Sequence, residues 1–247
     1  NTDVVSFDMN GISVGALTSS TLINYNSAQM IIWLFKRATG FMDVVAYSGN
    51  GTAGATQAHN LGVVPEMLIV KRRNATDLWP VYHATLGNTK YLQLNGDTPE
   101  AAWNGNWNNT TPTASVFSLG NGSYTNASSS TYVAYLFASV AGVSKVGSYT
   151  GTGSSLDVPC GFTASARFIL IRRYNYSSGG SDWYIYDSTR GISALGNNDP
   201  YLFLNTTAVE VTNTDYVASL STGFNVTSNA SSTINVNGGT YIFLAIA

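Results

Sequence analysis

The chain has 247 residues, of which 44% are hydrophobic but only 10% charged, against about 25% in an ordinary soluble domain. A net charge of −2 argues against a nucleic-acid binder, which needs clustered Lys and Arg to displace counterions. A single cysteine, Cys160, allows neither an intrachain disulfide nor a Cys-based metal site, and no apolar run approaches the roughly 20 residues of a membrane span.

Taken in chain order, the elements form one pattern written more than once. Gly11-Ile-Ser-Val14 and Met30-Ile-Ile-Trp-Leu-Phe-Lys36 come first. Strands are then expected near 44–48, 66–72, 78–83, 90–94, 115–119 and 131–138. A second series is expected near 146–150, 167–173, 182–186, 201–204, 223–227 and 240–245. These stretches are rich in Val, Ile, Tyr, Phe and Thr and are separated by Gly, Asn and Ser turns. No stretch carries a sustained helical period, and Glu100-Ala-Ala-Trp103 is the place for a single helical turn. The two series match in order. Tyr47-Ser-Gly-Asn-Gly51 returns as Tyr149-Thr-Gly-Thr-Gly153, and Met67-Leu-Ile-Val-Lys-Arg72 as Phe168-Ile-Leu-Ile-Arg-Arg173. Trp79-Pro-Val-Tyr82 returns as Trp183-Tyr-Ile-Tyr186, Lys90-Tyr-Leu-Gln-Leu-Asn95 as Pro200-Tyr-Leu-Phe-Leu-Asn205, and Thr131-Tyr-Val-Ala-Tyr-Leu-Phe-Ala138 as the closing residues from Thr240 to Ala247. This is a tandem repeat.

Met30 to Lys36 aligns with Tyr132 to Ala138, and Gly11 to Val14 with Val116 to Leu119, so the chain starts in mid-unit. The organisation expected is residues 1–45 as the C-terminal half of a preceding repeat, then repeats at 46–145 and 146–247. A repeat of roughly 100 residues can bury its own core. The fold class expected is all-β, with tandem antiparallel β-sandwich (jelly-roll-like) repeats and almost no helix. Short connections such as 139–145 predict repeats stacked as a stiff rod. The half repeat is completed either by an upstream segment or by another chain.

Most motifs with a chemical look fail in context. Gly49-Asn-Gly-Thr-Ala-Gly54 matches the dinucleotide fingerprint, but turn and strand residues follow it instead of a helix N-terminus, and the second copy loses the last glycine. Gly11-Ile-Ser-Val-Gly15 matches a nucleophile elbow, yet the repeat puts Ser13 inside a strand, and neither His59 nor His83 has a histidine counterpart. No metal spacing is present, and neither a metal nor a cofactor is expected. Asp97 with Glu100, and Asp182 with Asp187, are the carboxylates available for glycoside hydrolysis, although the aspartates beside Trp79 and Trp183 read as turn residues. Lys71-Arg72-Arg73 and Arg172-Arg173 end matching strands and read as framework.

The matched aromatics read as core, whereas Trp103 and Trp107 lie in an Asn/Gly-rich loop without an aromatic counterpart. Offered to a sugar, an indole face would stack on C–H groups while Asn104 and Asn106 bond hydroxyls. These four residues, with Tyr174 and Tyr176 of a second polar loop, are the candidate ligand or partner contacts.

The strings Tyr47 to Gly51, Leu61 to Arg73, Trp79 to His83, Leu86 to Asn95 and Thr131 to Ala138 resemble a repeat of virion proteins of tailed bacteriophages, particularly phages of marine and cyanobacterial hosts. The resemblance covers nearly all the chain. It implies a tail-fibre or other surface-appendage component, with no catalytic residue to carry over. The expectation is a non-enzymatic structural and adhesion protein at the virion surface or otherwise extracellular. Its expected partners are copies of itself, as a trimer or fibre, other virion proteins, and a host-surface glycan or receptor. Neither nucleic acid nor membrane insertion is expected. Two other readings stand beside it: a self-assembling extracellular filament subunit, its half repeat completed by a neighbouring chain, and a polysaccharide depolymerase.

Overall fold

The computed structural model describes residues 4–8, 11–14, 29–176, 181–193 and 196–247. Two compact units result, Asn1–Lys36 and Arg37–Ala247. In the first, β1 (Val4–Asp8) and β2 (Gly11–Val14) form an antiparallel hairpin with Phe7 opposite Ile12. Residues 30–36 belong to no sheet, although their sequence matches a strand, and their exposure alternates. Met30, Ile32 and Leu34 are 51%, 46% and 59% exposed.

The second unit opens with β3 (Met42–Ser48), β4 (Ala55–Ala58), β5 (Met67–Arg72), β6 (Pro80–His83), β7 (Lys90–Gln93) and β8 (Ala101–Ala102). A one-turn helix α1 (Asn104–Trp107), β9 (Val116–Leu119), a second one-turn helix α2 (Ser123–Asn126) and β10 (Thr131–Phe137) complete its first half. The second half runs β11 (Ser144–Thr150), β12 (Leu156–Pro159), β13 (Phe168–Arg173), β14 (Tyr184–Asp187), β15 (Leu202–Phe203), β16 (Val217–Leu220), β17 (Gly223–Val226) and β18 (Thr240–Ile246). Every strand pairing among the described residues is antiparallel. The fold is all-β, as its alternating Val, Ile and Tyr require. The helical turn falls at Asn104–Trp107, not at 100–103, because Ala101–Ala102 is drawn into a strand against β7.

The large sheets have the order β3-β10-β5-β6-β7-β8 and β11-β18-β13-β14-β15. Position for position these are the same sheet, with the last strand of the first half answered in the second by the single bridge Tyr201–Val211. Small sheets, β4-β9 in one half and β12-β17-β16 in the other, lie opposite. Phe117 and Leu119 of β9 meet Leu68, Val70 and Tyr132 in one core; Val158 and Phe224 meet Ile169, Ile171 and Phe243 in the other. The expected repeat boundaries at 45/46 and 145/146 lie within β3 and β11.

The same polar knot closes both halves. Tyr47 stacks on Tyr132 at 5.2 Å and 17°, and Tyr149 on Tyr241 at 4.8 Å and 10°. The Tyr132 hydroxyl donates to Ser123 O and accepts from Ala127 N; that of Tyr241 donates to Thr233 O and accepts from Val236 N. Asn126 and Asn235 bridge the turns after β3 and β11 through both ends of their amides. Gly49 sits where a Cβ would lie 2.3 Å from Ala127 O, and Gly151 where it would lie 2.4 Å from Val236 O. The glycines that mimic a nucleotide motif are there for backbone approach.

Candidate functional site

The expected contact loop is largely core. Trp107 is 2% exposed, packs edge-on to Tyr82 at 6.0 Å and donates Nε1–H to Lys90 O at 3.1 Å. Asn106 is fully buried, and its side-chain amide has no partner among the described residues. Neither side chain faces solvent, so the reading of this loop as an offered surface is corrected for both. Trp103 is half-buried, held edge-on by Tyr124 at 5.1 Å over Gly105 and Gly122. Asn104 alone of the four is exposed. A short helical turn in a loop of small residues can tuck a large ring beneath it, which composition does not reveal.

Tyr174 and Tyr176 lead to a different place. They border a joint between the halves of the second unit: Tyr174 O accepts from Glu100 N, and Tyr176 donates its hydroxyl proton to Asp97 O. At the centre lies Arg172, wholly buried. It enters from β13 and donates to the carbonyl of Gln93 at the end of β7, at 2.8 Å, and to those of Gly96 and Thr98 in the loop that follows. Trp183 lies beneath it, its ring centre 5.1 Å from the guanidinium, and donates Nε1–H to Gln93 O at 2.7 Å. Burial pulls the Arg172 pKa below its ordinary value, with Tyr176, Asp97 and Asp182 acting in the opposite sense. Carbonyl dipoles and the indole face replace the water that the cation gave up. His83 lies at the same junction; Nδ1 accepts from Thr85 N, while Nε2 faces the Phe243 backbone without a well-formed hydrogen bond. Burial depresses its pKa to about 4.

The first half carries the same pair, uncovered. Lys71 stands where Arg172 does, one residue before the Arg72 and Arg173 that face Tyr132 and Tyr241. Its Nζ lies 4.4 Å from the Trp79 ring centre. Both Lys71 and Trp79 are half-buried. Asn95 accepts from Trp79 N at 2.8 Å, as Asn205 accepts from Trp183 N at 2.9 Å. Trp79, Leu94 and Asn95 then form one wall of a cleft of about 600 Å³, with Leu204, Asn205, Thr206 and Thr207 as the other. An aromatic face, two leucines and two asparagines suit a sugar ring or an incoming loop.

Of the four carboxylates considered for hydrolysis, Glu100, Asp182 and Asp187 have structural side-chain partners. Glu100 pairs with Lys90 at 2.6 Å, Asp182 accepts from Asn205 at 2.8 Å, and Asp187 pairs with Arg190 at 2.7 Å. Sequence reasoning missed a different pair, Asp199 and Asp215. Burial first, and then Asp215, raise the Asp199 pKa to about 7. Burial also pushes the Cys160 thiol up to about 12, which keeps it unreactive. Among the described residues no group of three metal-binding side chains occurs, and no helix is long and apolar enough to cross a membrane.

Residues 1–247 match the family model described as Domain of unknown function (DUF7483). The chain belongs to that family. No curated protein and no solved structure matches it. Within this DUF7483 chain, the signal for the joint was present in the sequence as the recurrence of Trp79 and Trp183 beside matched cations. What periodicity could not tell is that one copy is covered and the other open.

Proposed function

We propose that this chain is a non-enzymatic structural and adhesion component of a tailed-phage virion, part of a tail fibre or other surface appendage. The observation that carries the reading is the Arg172–Trp183 joint. A buried cation whose terminal nitrogens donate to three main-chain carbonyls holds two like β units in one orientation, as a load-carrying appendage needs. The low charge and the many Asn, Ser and Tyr side chains support contact with glycan or protein, as in paratopes. Antibody raised against the purified chain is expected to decorate the outer appendages of intact particles that contain it. Labelling restricted to ruptured particles, or none on purified particles, would remove the reading.

Assembly of copies into a filament is the second reading, favoured by residues 30–36. Alternate exposure of Met30, Ile32 and Leu34 outside any sheet gives a strand-like edge suited to pairing in trans. Replacing Ile32 and Leu34 by Asp is then expected to abolish polymers visible by electron microscopy. Polymers of unchanged length would refute it.

A further inference from the structure

We infer that the cleft between Trp79 and residues 204–207 is a self-association surface whose occupant is a second copy of this chain. The joint inside the molecule is the template. There, a cation on a tryptophan, Arg172 on Trp183, grips the loop that follows the fourth strand of the large sheet, residues 93–98. Each half therefore has a gripping element and a loop to be gripped. One of each is used internally, and one of each remains.

The unused gripping element is Lys71 on Trp79. The unused loop is 203–208, the counterpart of 93–98: Phe203 pairs with Tyr184 on β14 as Gln93 pairs with Pro80 on β6. From Thr206 in that loop to Val209 just beyond it the chain is exposed. Two of the exposed large apolar side chains lie in it and just after it, Leu204 at 39% and Val209 at 84%. Ordinary surfaces scatter such residues singly; here Leu204 faces a half-buried tryptophan across one cleft, with Val209 a few residues further along the chain.

Trp79 of the unused grip and residues 204–207 of the unused loop line the same cleft, and this selects the partner. A surface that holds a grip and its own target is self-complementary, which is the condition for an isologous pair. In a pair of copies, the Lys71–Trp79 grip of each takes the 203–208 loop of the other, and both contacts form at once. The cleft is continuous with the internal joint through Leu94 and Asn95, so the added contact extends an interface already built. Lysine in place of arginine makes the outer grip a point charge without the planar fork, suited to a weaker, reversible contact. The inference rests on the assembly part of the reading above, while the labelling of particles is independent of it.

The test is sedimentation equilibrium of the full chain from micromolar to near-millimolar concentration. A monomer–dimer equilibrium is expected. Trp79→Ala, and separately Thr207→Arg with Val209→Asp on the exposed loop, should each weaken it at least tenfold. The loop changes lie at exposed positions, so they keep the test open if Trp79→Ala fails to fold. With Cys160 buried, Lys71→Cys chains mixed with Thr207→Cys chains should form the mixed disulfide in preference to either homodimer. A monomer at every concentration overturns the inference. So does an association that the loop variant leaves within twofold, or random disulfide pairing.

Discussion

Arg172 is the residue on which the second unit depends most. Its guanidinium is buried, and three carbonyls of the 93–98 loop turn toward it. Arg172→Met fits the space yet strands those carbonyls, so a loss of about 3–5 kcal/mol is expected in urea denaturation. Arg172→Lys should recover part of this, since an ammonium can still reach some of the acceptors. Two other buried groups make stability depend on pH with opposite signs. His83 has its pKa lowered from 6.5 to about 4, so the unfolded chain binds the extra proton between those values. Its contribution is complete above pH 6.5 and is lost as pH falls toward 4. Asp199 has its pKa raised from 3.8 to about 7, so the folded chain holds the extra proton. Its contribution is complete below pH 3.8 and is lost as pH rises through 7. The two slopes offset each other in the parent protein, and the variant separates them. Asp199→Asn is expected to raise the melting temperature at pH 8, by roughly 2–4 kcal/mol of stability, and to change little at pH 4. An equal effect at both pH values would place the cause elsewhere.

At the scale of elements, the turns after β3 and β11 carry the close approach that shapes each half. Gly49→Ala places a methyl 2.3 Å from Ala127 O, and Gly151→Ala places one 2.4 Å from Val236 O. Each is expected to cost about 1–3 kcal/mol by thermal unfolding, and the two should match, because the tyrosine–asparagine knot around them matches. The long strands were legible in the sequence because their side chains alternate or run apolar between turn residues, as in Thr131–Phe137 and Phe168–Arg173. The short strands Ala55–Ala58 and Leu156–Pro159 were not, since four residues that include Gln57 or Pro159 have too little pattern to stand out. Trp107 was misplaced for a related reason. Its neighbours are polar, and only the one-turn helix Asn104–Trp107 swings the ring into the core against Tyr82. The chemistry of Arg172 was hidden because its acceptors are main-chain carbonyls some eighty residues upstream, which leave no mark in side-chain identity.

At the largest scale, the like halves of the second unit, joined around Arg172, should unfold as one. Trp183→Ala removes the support beneath Arg172 and is expected to cost about 3–5 kcal/mol and to split a single calorimetric transition into two. A single transition, merely shifted, would mean that the halves are coupled elsewhere. The same logic extends outward: a grip on Trp183 that is filled and a grip on Trp79 that is open describe a unit made to be joined. The most direct measurement is an electron cryo-microscopy reconstruction of the native assembly at a resolution that traces chains. This chain is expected on the outside of a virion appendage, with Trp79 covered by the 203–208 loop of another copy. A chain found away from any such appendage, with Trp79 open to solvent, would contradict that expectation.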